Sequence, residues 1–309
     1  MAPQTAMTPH AWALLALLGL IWGGSFTANA VVLTEIGVVT IVALRVLVAA
    51  IVLWVTVLAL RLPLPRDPRQ WGVLFLLGLF GNALPFSLIT WGQLAVPSGL
   101  AAILNASTAI FSVLLAALFF ADERLTARKV LGVALGLAGV ATAIGLTALT
   151  ALDLTAWAQL ALIAASLSYG LGASLGKMAL RGVAPQVAAT GMLTGAALIM
   201  VPIALIRDGL PSPHHSGHVW LALAYSAVVA TALAYLIYYR LLSLAGAGNA
   251  SLVTLLVAPV AIVLGAVLLG ETLASRAFGG FAILALGLLV LDGRLLRRLA
   301  PLAQKGPSG

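Results

Sequence analysis

Any chemistry in this chain has to come from neutral polar and aromatic side chains set at helical spacing. Trp22, Ser25, Phe26 and Asn29 share one face of the first apolar run. Asn82, Phe86 and Thr90 share a face of the third, with Gln93 just past its end. Ser98, Ala101, Ala102, Asn105, Thr108, Ala109 and Ser112 form a small, polar stripe in the fourth, Ser166, Tyr169 and Ala173 follow in the sixth, and Thr231, Tyr235 and Tyr238 in the eighth. Trp22, Phe86, Trp91, Tyr169, Tyr235 and Tyr238 can supply aromatic walls, with Asn29, Asn82, Gln93 and Asn105 as neutral donors and acceptors. Such a lining suits a zwitterion with an apolar side chain. The same stripes also serve helix packing, because small residues let helices approach and Ser, Thr and Asn bond across them.

Arg45 is the one cation well inside an apolar run. It can act as counter-charge to an anionic group such as a substrate carboxylate, pair with carbonyls at a helix end, or snorkel to the interface. Carboxylates are missing from the run interiors. Glu35, Asp122, Glu123, Asp153, Asp208, Glu271 and Asp292 stand at run ends or in connections, as does Asp67, and His10, His214, His215 and His218 are peripheral. Proton relays in transporters are built from Asp, Glu or His, so the expectation is facilitated rather than proton-coupled movement. A single intramembrane arginine is too few to hold phosphate, and a carrier of organic cations would want a midplane carboxylate. His214, His215 and His218 in a Pro/Ser/Gly connection read as solvated rather than as a metal site. The chain shows no Ser/His/Asp arrangement and no phosphate-cradling loop; Gly132, Gly136 and Gly139 form a helix-packing stripe. No enzymatic activity, metal or cofactor is expected.

The elements that position these residues follow from composition. The chain is 62% hydrophobic and 8% charged, against about 25% charged in soluble domains. Most of its surface therefore has to face lipid. The apolar runs are continuous rather than alternating, which selects spanning helices of roughly 20 residues over a barrel. Ten spans are expected, at 11–33, 37–60, 70–91, 97–121, 127–147, 156–177, 184–206, 217–243, 247–269 and 274–293, with Pro85 and Pro259 as sites of kinking or discontinuity. The first ten residues hold no Lys or Arg, so the first run reads as a retained span rather than a removable signal. Cysteine is absent, which excludes disulfides and thiol chemistry.

Basic residues set the orientation. With the N-terminus in the cytoplasm, Arg61, Arg66, Arg69, Arg124, Arg128, Lys129, Lys177, Arg181, Arg240, Arg294, Arg297, Arg298 and Lys305 fall on the cytoplasmic side and only Arg207 and Arg276 opposite. Both termini are therefore expected inside. The net charge of +8 is then a cationic face set against anionic lipid headgroups, with no nucleic-acid partner.

The chain also repeats itself. A shift of 148 residues carries Glu123, Leu125 and Arg128 onto Glu271, Leu273 and Arg276, and Gly132 and Gly139 onto Gly280 and Gly287. Five spans is an odd number, so residues 149–309 enter the membrane upside down relative to residues 1–148. Inverted repeats of this kind place a site near the midplane between halves that rock about it. Arg45 and Asn82 have no counterparts, since the shift pairs them with Leu193 and Ala230.

Trp22-Gly23-Gly24-Ser25-Phe26, Arg45 and Leu268-Leu269-Gly270-Glu271, set in ten spans, resemble the EamA branch of the drug/metabolite transporter superfamily, and within it the YddG-type exporters of aromatic and other neutral amino acids. The resemblance implies an all-α integral membrane bundle of ten transmembrane helices, two inverted five-helix repeats around a central cavity lined by spans 1, 3, 4, 6, 8 and 9. It implies export of a small molecule across the bacterial inner membrane. On the residues, amino acids are the expected substrates. Export of another neutral metabolite or drug, and a non-transporting interaction protein, remain the alternatives.

Overall fold

The computed structural model describes residues 7–120, 125–145, 154–179, 182–250 and 252–292. All secondary structure among them is helical. We label the spans α1 (Pro9–Val32), α2 (Val38–Ala59), α3 (Pro68–Gly92), α4 (Ser98–Phe119), α5 (Ala127–Ile144), α6 (Leu154–Ala179), α7 (Pro185–Arg207), α8 (Gly217–Ala245), α9 (Val253–Leu269, preceded by the single turn Ala247–Ala250) and α10 (Ser275–Asp292). Nine helices among the described residues are long and apolar enough to cross a membrane, and α9 is a shorter apolar helix. The ends agree with the expected runs to within a turn except at the ninth, expected from 247, where the continuous helix starts only at Val253. Local chemistry explains several starts. Thr8, Asp67 and Thr126 accept backbone N–H groups of the first turns of α1, α3 and α5, and proline opens α1, α3 and α7.

The interruptions are not where proline alone would put them. Pro259 lies inside an unbroken α9. Around Pro85 the helix runs on, but the five residues before Leu84 (Leu79–Ala83) widen into a π turn. Proline has no N–H to donate, and the nearby Phe80 carbonyl is satisfied instead by the Ser168 hydroxyl of α6 at 2.7 Å. The outright break in the first half falls at Ala106–Ser107, within α4, between Ser98–Asn105 and Thr108–Phe119. A second π stretch, Tyr225–Leu233, occupies the middle of α8. The 148-residue shift maps Leu79–Ala83 into it, so the irregularity is duplicated although Pro85 corresponds to Leu233.

The α5–α10 contact shows the inverted symmetry directly. A Cβ on Gly132 would come within 2.9 Å of the Gly287 carbonyl, and one on Gly287 within 2.8 Å of the Gly132 carbonyl. At Gly139 and Gly280 the corresponding values are 2.7 and 2.6 Å. Numbers rise along one helix as they fall along the other, so the pair is antiparallel. Exchanging the halves turns the Gly132–Gly287 contact into Gly280–Gly139, the signature of a two-fold axis through the crossing. Glu123, which belongs to the repeat's charged motif, lies outside the described residues.

Elsewhere α1 packs on α8 and α9, α2 on α7 and α8, α3 on α6 and α7, and α4 on α6 and α9. The Trp22–Phe26 segment is explained by this packing. A side chain at Gly23 would run into Val260 and the Val257 carbonyl of α9, and one at Gly24 would sit 2.7 Å from the Tyr225 hydroxyl of α8. That hydroxyl donates to the Ile21 carbonyl at 2.8 Å.

Candidate functional site

Arg45 of α2 meets the π stretch of α8 and the helix just past the π turn of α3. Its Nε donates to Thr231 Oγ1 at 2.9 Å, and its guanidinium carbon stands 4.0 Å above the Phe86 ring. Thr231 is the midpoint of α8, and its hydroxyl donates in turn to the Ser226 carbonyl at 2.7 Å. Asn82, inside the α3 π turn, is fully buried. Its Oδ1 accepts from the Tyr235 hydroxyl at 2.7 Å, while its Nδ2 has no partner among the described residues. Asn82 and Phe86 are four residues apart on α3, as are Thr231 and Tyr235 on α8, so each pair shares a helix face. The two cross-links Arg45–Thr231 and Asn82–Tyr235 therefore lie about one turn, ~5.4 Å, apart. Tyr169 of α6 closes the patch, edge-on to Phe86 at 6.5 Å between centroids.

Aromatic rings continue from this patch along α8 towards α1. Tyr235 stacks on Tyr239 at 6.2 Å, Tyr239 meets Tyr238 at 5.8 Å, and Tyr238 meets Trp22 at 5.6 Å. Tyr239 was not among the residues singled out from the sequence, whereas Thr231 was named with Tyr235 and Tyr238 on the eighth run. Tyr239 follows Tyr235 by four residues, so their rings share a face of the regular helix that begins at Ala234. Trp91, expected in the aromatic wall, is 36% exposed and stands one residue beyond Thr90, off the Asn82–Phe86–Thr90 face. Asn105 sits at the break in α4, where its carbonyl accepts from Thr108 and Ser166 and its side-chain Oδ1 is buried without a partner among the described residues. It is not bonded to the Arg45 patch.

A second polar network closes the end of the bundle at which α1, α3, α7 and α9 finish. Asn29 Nδ2 donates to Gln93 Oε1 at 2.8 Å, Thr90 donates to Asn29 Oδ1 at 3.3 Å, and Gln93 Nε2 donates to the Phe26 carbonyl at 2.9 Å. Ser98, at the start of α4, donates through its hydroxyl and its backbone N–H to Glu271 Oε1, at 2.9 and 3.0 Å. Gly270 has φ +66° and ends α9 in the left-handed region that glycine favours. The chain then folds back, Glu271 N–H bonds the Gly265 carbonyl at 3.1 Å, and any side chain at Gly265 would collide with the Glu271 carboxylate. Gly265, Gly270 and Glu271 thus form one device by which the second half caps a helix of the first.

The connections at the same end are clasped as well. Glu35, between α1 and α2, accepts from the Ser216 N–H at 2.8 Å and from the Ser216 hydroxyl, with His215 Nδ1 at 3.4 Å from its Oε2. The Ser216 bonds hold the Glu35 carboxyl below its ordinary value, helped by His218 and His215. Thr40 donates to Asp208 Oδ2 at 2.7 Å. Two surface pockets lie apart from the Arg45 patch, the second of them bordered by Thr40. One of about 380 Å³ is lined by Pro63, Leu64, Pro65, Gln70 and Gly182–Ala184, and one of about 140 Å³ by α2, α7 and the connection after it.

Comparison with known proteins gives one consistent picture. The pattern of the EamA-like transporter family matches residues 10–145 and again residues 156–291. A protein of Streptantibioticus cattleyicolor named "Probable terminal-alkyne amino-acid exporter" is 30% identical over 290 residues, covering 93% of this chain and 94% of its own length. A Salmonella typhimurium protein named "Probable amino-acid metabolite efflux pump" is 29% identical over 297 residues, covering 93% and 96%. One solved crystal structure superposes with a TM-score of 0.67 at 20% identity, over 94% of this chain and 98% of the other; it shares the fold.

Proposed function

The chain belongs to the EamA-like transporter family, a multi-pass membrane transporter with a small-molecule substrate, and on that premise we propose that it exports neutral amino acids by alternating access. The observation that carries the reading is the composition of the interior patch. Asn82, Phe86, Tyr169, Tyr235, Tyr238 and Trp22 offer rings and neutral hydrogen-bonding groups around the single cation Arg45. That combination suits an apolar side chain joined to a zwitterionic head. The names of two relatives that match almost end to end point the same way.

In this reading residues 1–148 and 149–309 rock against each other about the patch, in a bacterial inner membrane with both termini cytoplasmic. The Glu271–Ser98 and Glu35–Ser216 clasps then lie on the outer face and close it, while the interior patch waits for substrate. Movement is facilitative, since the residues lining the patch carry no carboxylate. Asn29 and Thr90 belong to the outer closure, and Trp91 takes no part in the lining.

Vesicles containing the purified chain and loaded with labelled phenylalanine, tryptophan, threonine or methionine provide the test. Saturable, protein-dependent efflux of at least one, insensitive to pH, sodium and voltage, is the expected result. No such flux for any of them would overturn the amino-acid reading. Strict dependence on a proton gradient would overturn the facilitative one.

A further inference from the structure

Arg45 has no acidic partner among the described residues, although its side chain is buried to 8% exposure. An unpaired buried charge is costly, and in a membrane interior it marks a place where a partner comes and goes. The structure shows how the cation is held meanwhile. Of the five guanidinium donors, Nε is engaged by Thr231 and the flat face rests on Phe86. The terminal fork of two nitrogens has no hydrogen-bond partner among the described residues. A second orphan is independent of the first. The Asn82 Nδ2 is buried with no acceptor among the described residues, while its other side-chain atom is fixed by the Tyr235 hydroxyl, so the orientation of the amide is set.

We infer that the Arg45 fork and the Asn82 Nδ2 together form the subsite for the substrate's carboxylate, and that the protein selects molecules carrying a free carboxylate over otherwise identical amides and esters. This rests on the amino-acid export reading and sharpens it. A carboxylate has two oxygens with about four acceptor positions, and a guanidinium fork meets them two at a time. Asn82 supplies a further donor from one turn away. Thr231 and Phe86 hold the guanidinium as Tyr235 holds the amide, so neither has to be ordered when substrate arrives. Charge selection follows, because an amide or ester leaves the arginine buried and unmatched, and sites built around a buried polar partner reject analogues lacking it. The aromatic chain Tyr235–Tyr239–Tyr238–Trp22 then takes the rest of the molecule, its ring faces suited to the ammonium and the apolar side chain.

The test uses the purified full chain and whichever of the four amino acids gives the largest flux. Its thermal unfolding is followed with that amino acid, with the carboxamide and with the methyl ester, since a ligand that binds the folded state raises the unfolding temperature by mass action. The amino acid should stabilise at a concentration at least ten-fold below either derivative. Arg45→Gln should lose at least ten-fold in affinity for the acid and no longer distinguish acid from amide. Arg45→Lys should fall between, because an ammonium keeps the charge but not the fork. Equal stabilisation by acid, amide and ester in the unmodified protein would overturn the subsite, and this comparison stands even if Arg45→Gln does not fold. Undiminished affinity in Arg45→Gln would overturn it too. A chain that transports none of the four amino acids would instead remove the export reading on which the subsite rests.

Discussion

At the scale of single residues, polar atoms are so scarce in this interior that each one is identifiable from the sequence, but their partners are not. Arg45 and Asn82 stand out as soon as the runs are drawn, because ionisable and amide groups in lipid-facing segments are rare. That Arg45 bonds Thr231 and Asn82 bonds Tyr235 depends on helix rotation and contact between α2, α3 and α8, which no spacing within one helix encodes. Glu271 was visible as a charge at a span end and as the repeat's counterpart of Glu123. Its inward turn depends on the left-handed Gly270 and the bare Gly265. Glu271→Leu removes the acceptor of two Ser98 donors, and stranding a buried N–H costs about 1–3 kcal/mol. The variant should therefore unfold several degrees below the parent in detergent, with Glu271→Gln closer to it. Equal unfolding temperatures for Glu271→Leu and the parent would refute the capping role.

Glu35 gives a pH prediction at the same scale. Its carboxyl is held below the ordinary 4.5 mainly by the Ser216 hydroxyl, then by the Ser216 N–H. A depressed folded-state value means the clasp contributes above about pH 4.5 and is lost as pH falls through the depressed value. Hydrogen exchange in residues 208–216, corrected for its intrinsic pH dependence, should accelerate only below that window. Glu35→Gln should exchange at the faster level throughout, and a pH-independent parent would exclude Glu35 as the tie.

At the scale of elements, the helices were legible and their irregularities were not. Continuous apolar runs bounded by charge and turn residues fix where helices begin and end, as Thr8, Asp67 and Pro185 show. Proline was the available signal for irregularity, and it identifies only half of the effect. The π turn before Pro85 has an equivalent in α8 with Leu233 in the proline's place. The widened turns therefore answer to what they present, Asn82 on one helix and Thr231 on the other, and π segments are frequent at functional sites. Pro85→Ala should keep the π turn, since Ser168 still binds the Phe80 carbonyl. Substrate affinity should change less than about two-fold, and a large loss would return the irregularity to the proline. Gly23→Leu acts oppositely. Its side chain has to enter the space of Val260 and the Val257 carbonyl, and overpacking of this kind costs typically 1–3 kcal/mol. The variant should show a lowered unfolding temperature.

At the scale of the whole molecule, the α5–α10 crossing carries the symmetry and the interior patch breaks it. Gly132, Gly139, Gly280 and Gly287 are interchangeable under the two-fold exchange, whereas Leu193 and Ala230 stand where the other half has Arg45 and Asn82, and both are buried. A symmetric scaffold can tip either way, while the chemistry stays at one fixed place. Three ties at the end where α1, α3, α7 and α9 finish join one half to the other: Glu35 to Ser216, Thr40 to Asp208, Ser98 to Glu271. If rocking opens this end, these bonds have to break in every cycle. The absence of native cysteine makes this directly testable. In Glu35→Cys/Ser216→Cys the two thiols replace groups already in contact, so mild oxidation should join the two connections. Transport of the preferred amino acid should stop on oxidation and recover on reduction, with each single-cysteine variant unaffected by either treatment. A cross-linked protein that transports at the full rate would show that the two connections never part, and the motion between halves would have to be sought elsewhere in the bundle.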